Sequence, residues 1–218
     1  MQQAIPRDTL LDAICAYDYP PVTYDYAHQR EVRFPTMRSL DDYLCCLLHS
    51  SEVRSVKDGL CGVLYWGYYR TGIRDHRVDR FRTMVTTSQL EHAIKTFRAL
   101  DGTSLRSLQK LGLPEFGYMA FVSKLRTFLD PEHYCVLDSK IASLAPLTTR
   151  LTLQPTHIPI TPRNERAYAW WVNACQSLAL RLCARPTIRP VDVERGLFYL
   201  VDHGRRNLAE HYLENDRI

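Results

Sequence analysis

The chain has 218 residues, 45% of them hydrophobic, and a formal net charge of +4. This length and apolar content allow a buried core, as one large domain or two small lobes, and exclude an intrinsically disordered chain. Its nine glycines are few, and alternating apolar–polar runs are scarce, so the sequence favours helices over strands. We therefore predict a mainly helical fold.

The positive charge is concentrated in the middle of the chain. Residues 51–150 contain 15 Lys/Arg and 10 Asp/Glu, a balance of +5, whereas the remaining residues contain 13 and 14, a balance of −1. A basic central segment suits a polyanion such as DNA, because phosphate contacts carry most non-specific affinity. A solvated basic face explains the same charge distribution equally well.

The seven cysteines are an odd number, and no two form a Cys-x-x-Cys pair. This pattern argues against a disulfide framework and a zinc site, so we expect reduced thiols and no metal. The first residues lack an apolar signal segment, and no run approaches about 18 apolar residues. We therefore expect no membrane partner and a cytoplasmic protein, associated with the nucleoid if bacterial. No glycine-rich phosphate loop is present, so we expect no nucleotide cofactor.

The first elements in chain order are an arm and two helices. Residues 1–36 form an N-terminal arm without a helical period, predicted to be irregular, with a short strand or two between Pro21 and Phe34. A helical pattern begins after Thr36, a typical N-cap residue. The next predicted helix, residues 56–69, is apolar on almost all sides, which is typical of a helix at the centre of a domain. A basic stretch follows: Arg70, Arg74, His76, Arg77, Arg80 and Arg82.

Two helices and a tight turn come next. Ser88 is the predicted N-cap of a helix that Asp101 and Gly102 end, and Thr103 or Ser104 begins a short helix.

The turn at residues 113–117 reads Leu-Pro-Glu-Phe-Gly and separates this short helix from another. Pro114 cannot continue a helix, and Gly117 permits a positive φ. Residues 104–129 are therefore predicted to form a helix-hairpin-helix. Backbone N–H groups in such a turn can bind a phosphate without any side chain.

An apolar segment after the hairpin leads into Asp138. The segment reads Tyr-Cys-Val-Leu at residues 134–137, and a helical pattern begins after it, so Asp138 is suited to be a helix N-cap. Further helices are predicted for residues 164–182 and from Pro190, which occupies an early helical position.

The hairpin and Asp138 together resemble the helix-hairpin-helix (HhH-GPD) superfamily of base-excision DNA glycosylases. In that superfamily the hairpin reads Leu-Pro-Gly-apolar-Gly, and a motif of two apolar residues and a catalytic aspartate follows one helix later. Here Gly117 and Asp138 are separated by 21 residues, which is similar to the family's spacing, and the likeness extends in less detail over residues 56–145. The resemblance implies a two-lobed helical glycosylase domain over residues 37–218, and it does not explain the arm.

The resemblance also implies site residues. Asp138 would be the catalytic carboxylate, and Trp66 and Tyr69, on the helix that borders the family's cleft, would line the base pocket. The alternative for both aromatics is that they are core residues. The residues implied to contact DNA are Leu113, Pro114, Phe116, Gly117, Tyr118, Ser139, Lys140, Arg74 and Arg77. For Arg74, Arg77 and the neighbouring His76 the alternative is a surface loop without a binding role.

The sequence departs from the family pattern in three places. Glu115 replaces the first hairpin glycine, which weakens the phosphate-binding turn and brings a carboxylate towards DNA. Met119 stands where strand-nicking members have a Schiff-base lysine, and Lys124 lies about 140° further round the helix. Only Cys175 and Cys183 lie near the C-terminus, so no iron–sulfur cluster is expected.

These observations lead to a prediction and two alternatives. We predict a monomeric, monofunctional glycosylase without cofactors, which removes a modified base from double-stranded DNA in repair or in defence against modified DNA. The first alternative is a catalytically inactive hairpin protein that binds DNA or a protein. The second is an all-α interaction module in which the hairpin is an ordinary loop.

Overall fold

The computed structural model describes residues 8–99, 104–182 and 188–214. Of these residues 63% are helical and 4% lie in strands, which confirms the predicted mainly helical fold. The predicted helix stop at Asp101 and Gly102 lies outside this description, as do Thr103 and Cys183. No helix within the described ranges is both long and apolar enough to cross a membrane.

Twelve helices and two strands are described in these ranges. In chain order they are α1 (Asp8–Cys15), β1 (Val22–Asp25), β2 (Arg30–Arg33), α2 (Met37–Leu48), α3 (Val53–Gly67), α4 (Arg74–Met84), α5 (Thr87–Arg98), α6 (Leu105–Gln109), α7 (Met119–Leu129), α8 (Ser139–Ala142), α9 (Ala145–Thr148), α10 (Pro162–Leu182), α11 (Pro190–Asp202) and α12 (Arg206–Glu214).

The chain divides into two compact units. The continuous unit is Pro20–Pro131, and the discontinuous unit combines the described parts of Met1–Tyr19 and Glu132–Ile218. The N-terminal arm is therefore shared between the two units. The predicted helix-hairpin-helix belongs to the continuous unit, and Asp138 belongs to the discontinuous unit.

The continuous unit is built around α3. Leu60 and Leu64 of this helix are fully buried, which confirms the central helix expected from its apolar sequence. Small residues let its neighbours approach closely, because a Cβ on Gly62 would lie 2.5 Å from Leu44 Cδ2 and 2.9 Å from Thr23 Oγ1. Thr23 lies in β1, so α2 and the strand pair pack against the same helix.

The strand pair confirms the short strands expected between Pro21 and Phe34. Strands β1 and β2 are antiparallel, with Val22 opposite Arg33 and Asp25 opposite Arg30. Asp25 holds the connection, since its Oδ1 accepts hydrogen bonds from the backbone N–H groups of Ala27 and His28 at 3.0 and 3.1 Å.

The discontinuous unit packs α1, α8, α10 and α12 around α11. Helix α1 approaches α11 closely, because a Cβ on Gly196 would lie 2.6 Å from Ile14 Cγ1. The expectation of an irregular arm was wrong at this helix. Leu10 and Ala13 of this helix are buried, but its eight residues make only about two turns, too few to establish a period in the sequence.

Several predicted helix starts are confirmed, and the one at Ser88 is wrong. Thr36 caps α2, Ser104 caps α6, and Pro190 is in the first turn of α11. The cap of α5 is Thr86, not Ser88, because Thr86 and Gln89 form a reciprocal capping box.

Candidate functional site

The turn between α6 and α7 buries two apolar side chains and exposes its end. Leu113 and Phe116 are 3% and 1% exposed, whereas Tyr118, the N-cap residue of α7, is 51% exposed. A Cβ added to Gly117 would meet no atom within 4 Å. The buried side chains of Leu113 and Phe116 therefore fix the turn, and the half-buried Pro114 lies between them in the sequence.

The sequence suggested a positive φ at Gly117, but the positive φ angles of this turn lie elsewhere. Positive φ angles occur at Gly112, with 62°, and at the non-glycine residue Glu115, with 69°. Two glutamine side chains secure the carbonyls on either side: Gln89 Nε2 donates to Gly112 O at 2.6 Å, and Gln109 Nε2 donates to Gly117 O at 2.8 Å. Gly117 thus contributes open space, not an unusual backbone conformation.

Glu115 points inward and is neutralised. Its side chain is 5% exposed, and its carboxylate forms ion pairs with Arg77 Nη1 at 3.2 Å and Arg80 Nη1 at 3.4 Å. The Tyr68 hydroxyl donates to the same carboxylate at 3.2 Å. Burial and the neighbouring Glu115 charge raise the pKa of Tyr68 to about 12, so the phenol stays a donor. The carboxylate that the sequence suggested would lie near DNA is therefore buried and paired within the continuous unit.

The arginines implied to contact DNA lie on α4, not in a surface loop. Arg77 is held by Glu115, and Arg74 donates to Asp75 from Nε at 2.8 Å and from Nη2 at 3.4 Å. The Arg74 guanidinium also lies 4.2 Å from the centroid of the Tyr65 ring. Both cations are therefore engaged within the continuous unit, while His76 is exposed on the same helix.

The two aromatic candidates for the base pocket differ in burial. Trp66 is 5% exposed and meets Phe128 edge to face, with ring centroids 5.2 Å apart, so it is a core residue of the continuous unit. Tyr69 is half-buried, and its hydroxyl accepts a hydrogen bond from Arg33 Nη2 at 2.9 Å. The ring centroids of Tyr69 and Tyr65 are 6.2 Å apart. The structure therefore does not bring Trp66 and Tyr69 together as an exposed stacking surface.

The lysine nearest to the hairpin is also largely buried. Lys124 is 7% exposed, and its ammonium lies 5.3 Å from the centroid of the Phe121 ring. Its stem lies against α3, since a Cβ on Gly67 would be 3.1 Å from Lys124 Cδ. Met119, at the position of the family's nucleophilic lysine, is fully buried.

In the discontinuous unit, Asp138 caps α8, as its sequence context predicted. Its Oδ1 accepts hydrogen bonds from the backbone N–H groups of Lys140 and Ile141, each at 3.0 Å. An N-cap carboxylate in this position is oriented by the helix and stabilised by its dipole. Asp138 is half-buried, and the next residue, Ser139, is exposed.

The segment that leads into Asp138 is anchored to α10. Cys135 and Leu137 are fully buried. The Tyr168 hydroxyl donates to Cys135 O at 3.0 Å, and Trp171 Nε1 donates to Val136 O at 2.8 Å. These two bonds fix a backbone segment that lies outside any helix or strand, and they therefore fix the position of the carboxylate that follows it.

An aromatic cluster that sequence reasoning missed lies beside α8. Phe198 of α11 meets Tyr17 edge to face at 6.1 Å, and Tyr17 stacks on Tyr19 at 6.4 Å. The Lys140 ammonium lies 4.7 Å from the Phe198 ring centroid and forms an ion pair with Asp202. All three rings are half-buried. We call Tyr17, Tyr19 and Phe198 the aromatic cluster.

Tyr17 also belongs to the electrostatic surroundings of Asp138. Burial raises the pKa of Tyr17 well above its usual value, and the buried carboxylate of Glu194 raises it further. Arg195 opposes these effects, while the charge of Asp138 adds to them. The phenol is consequently protonated at neutral pH and available as a hydrogen-bond donor.

The described residues contain no group of three His, Cys, Asp or Glu side chains arranged to bind a metal ion. No family model, no curated protein and no solved structure matches the chain.

Proposed function

We propose that the chain is a monofunctional DNA glycosylase of the helix-hairpin-helix class. It would flip a damaged or modified base out of double-stranded DNA and hydrolyse the N-glycosidic bond, leaving an abasic site. The observation that carries this proposal is Asp138, a carboxylate fixed by two backbone N–H groups at the start of α8. It follows the turn between α6 and α7 at a spacing similar to that of the glycosylase pattern.

The chemistry needs one fixed carboxylate and one water molecule. As the glycosidic bond breaks, the base departs with the bonding electrons, and positive charge develops on the sugar. Asp138 stabilises this charge and accepts a proton from the water whose oxygen bonds to C1′. The departing base takes up a proton and Asp138 releases the one it accepted, so water is divided between the two products and the carboxylate is regenerated.

Recognition requires the base to leave the stack. The rings of the aromatic cluster are only partly buried and lie beside α8, where a displaced base or its neighbour can stack. Lys140 and the exposed Ser139 stand at the start of the same helix and are suited to the adjoining phosphate. Lys140 would exchange its contact with Asp202 for that phosphate.

The hairpin in the continuous unit would bind the DNA backbone through its turn. Gly117 leaves open space in which a phosphate can approach the main chain, and Tyr118 is exposed next to it. Arg77 and Arg80 already neutralise Glu115, so we expect them to contribute less to DNA affinity than their number suggests.

Water, not lysine, is the proposed nucleophile. Met119 occupies the position of the family's Schiff-base lysine and is fully buried. The stem of Lys124 is packed against Gly67, which leaves its ammonium little freedom to reach a sugar. We therefore expect no covalent enzyme–DNA adduct to be trapped by borohydride.

The test is release of free bases from a panel of genomic and phage DNAs, read by mass spectrometry, with abasic sites counted on the same DNA. The expected result is one base class released in step with abasic sites, without strand nicking. Asp12→Asn, at an exposed position of α1, is the matched control for substitutions of Asp138. A failure to release any base from the whole panel would refute catalysis.

A DNA-binding protein without catalysis is the second candidate, and the Gly117 turn favours it independently of Asp138. It predicts binding that weakens steeply with salt and no base release from any substrate. Substitution of Asp138 would then change stability alone.

A further inference from the structure

A groove that Asp138 does not line lies in the discontinuous unit, among α9, α10 and α12. Its volume is about 690 Å³, and its walls include Pro146, Arg150, Trp170, Asn173, Ser177 and Glu214. Small-molecule sites commonly have volumes of about 300–1,000 Å³. The groove is therefore large enough for one nucleotide-sized ligand, and its lining mixes an aromatic ring with several polar groups.

One face of helix α10 forms a wall of the groove. Trp170, Asn173 and Ser177 follow each other at helical spacings of three and four residues, so they project to the same side. Within the described chain neither the Asn173 amide nor the Ser177 hydroxyl has a hydrogen-bond partner. The amide offers both a donor and an acceptor, which is the combination needed to bind the edge of a heterocyclic base.

Arg150 supplies a cation to the lining of the groove, next to Trp170. Its guanidinium lies 4.1 Å from the Trp170 ring centroid, and its Nη1 donates to Pro146 O at 2.5 Å. No carboxylate of the described residues forms an ion pair with Arg150. Its remaining N–H donors are thus available for an anion, and stacking on Trp170 already orients the planar guanidinium.

The backbone that carries Arg150 is fixed from α10. Arg163 donates from Nη2 to Thr149 O at 3.0 Å and from Nε to Arg150 O at 2.9 Å. These bonds hold the end of α9 against α10. The cation and the aromatic wall are consequently held in one arrangement before any ligand binds, which lowers the entropy cost of binding.

We propose that this groove binds a nucleoside monophosphate unit. Its phosphate pairs with Arg150, its base packs against the stacked Arg150 and Trp170 side chains, and Asn173 binds the edge of the base. The Glu214 carboxylate in the lining disfavours additional phosphates, so a monophosphate is preferred to a triphosphate. The unit is either a free mononucleotide or the 5′-phosphorylated end of a strand. This inference does not rest on the proposed glycosylase activity.

Calorimetric titration of the full chain tests the proposal. The probes are the four deoxynucleoside monophosphates, inorganic phosphate, and a short single strand with and without a 5′-phosphate. We expect saturable binding of at least one monophosphate, and a loss of about tenfold or more in Arg150→Gln, as for removal of a charge-assisted hydrogen bond. Arg166→Gln, at an exposed position of α10 outside the groove lining, should bind like the wild type.

A second variant separates binding from folding. Asn173 is exposed, so Asn173→Ala should leave the melting temperature unchanged while weakening the monophosphate and not inorganic phosphate. Tighter binding of the 5′-phosphorylated strand than of its unphosphorylated copy identifies a strand end, and binding of the mononucleotide alone identifies a free ligand. The proposal is overturned if no monophosphate binds at millimolar concentration, if inorganic phosphate binds equally well, or if Arg150→Gln and Arg166→Gln lose the same affinity.

Discussion

The two units of the chain differ in charge and in the groups they offer for chemistry. Residues 20–131 contain 16 Lys/Arg and 12 Asp/Glu, whereas residues 1–19 and 132–218 contain 12 of each, so the whole net charge of +4 belongs to the continuous unit. The carboxylate that best fits catalysis, Asp138, belongs to the balanced unit. Net charge therefore indicates where non-specific DNA affinity is expected, but it does not locate the carboxylate that we propose to be catalytic.

The same side-chain chemistry also serves different purposes in the two units. Glu115 is turned inward and matched by Arg77 and Arg80, an arrangement that holds the hairpin turn in place. Asp138 receives backbone N–H groups at a helix start and is partly exposed beside the aromatic cluster. The Glu115 carboxylate therefore stabilises the turn, whereas we propose that the Asp138 carboxylate acts on a substrate.

The largest effect on stability is expected at Asp192, in the balanced unit. Arg189, which is 1% exposed, donates to the Asp192 carboxylate from Nε at 3.0 Å and from Nη2 at 2.9 Å. Asp192→Asn would leave a buried guanidinium without this bidentate partner and should lower the free energy of unfolding by about 3 kcal/mol. Glu132→Gln, at an exposed partner 3.7 Å from the same arginine, should cost below about 1 kcal/mol in the same urea titration.

The Asp192 pair also predicts a pH dependence. Burial acts to raise the pKa of Asp192, but hydrogen bonds and the charges of Arg189 and Arg195 outweigh it and lower that pKa in the folded chain. The contribution of the pair is thus fully present above the unfolded pKa of about 3.9 and disappears as pH falls through the lower folded value. The difference in melting temperature between wild type and Asp192→Asn should shrink below about pH 4. A constant difference down to pH 2 would contradict this linkage.

In the basic unit, Glu115→Gln should separate stability from DNA affinity. The variant loses the ion pairs with Arg77 and Arg80, which are partly exposed, so we expect about 1–2 kcal/mol of destabilisation. The released arginines should raise DNA affinity and steepen the salt dependence by about one to two phosphate contacts. Fluorescence anisotropy over a salt series measures both quantities. An unchanged salt slope would show that these arginines do not face DNA.

The smallest effect on stability is expected for Gly117→Ala, which should nevertheless weaken DNA binding. An added methyl group meets no atom within 4 Å, and its φ is not in the left-handed region, so Gly117→Ala should change stability by less than about 0.5 kcal/mol. The same methyl group would hold a phosphate away from the turn and weaken DNA binding. Gly72→Ala, another open glycine of the continuous unit, is the control. Equal DNA affinity for both variants would show that the hairpin turn does not contact DNA.

The sequence predicted the helical architecture because that information is local. Thr36, Ser104 and Asp138 are capping residues next to the apolar patterns they start, and each caps a helix. The cap of α5 was misassigned between two similar residues, although Gln89 three positions after Thr86 forms the signature of a capping box. Helix α1 was missed because eight residues contain too few turns to establish a period.

The surroundings of the candidate site depend on contacts that no local pattern encodes. Glu115 meets Arg77 from 38 residues away, so its inward orientation could not be inferred from the hairpin motif. Tyr17 and Phe198 come from opposite ends of the chain. Several tyrosines lie close together in the sequence of the arm, but no local pattern indicates which helix their rings meet.

The most direct test of the central claim is single-turnover base release by wild type and Asp138→Asn. Asparagine caps helices about as well as aspartate, so this variant keeps the hydrogen bonds at α8 and removes only the charge. We predict an unchanged melting temperature and a rate lower by about 10²–10⁴-fold, the usual contribution of a catalytic carboxylate. Wild-type rates in Asp138→Asn would contradict the catalytic role, because Asp138 would then serve as a helix cap alone.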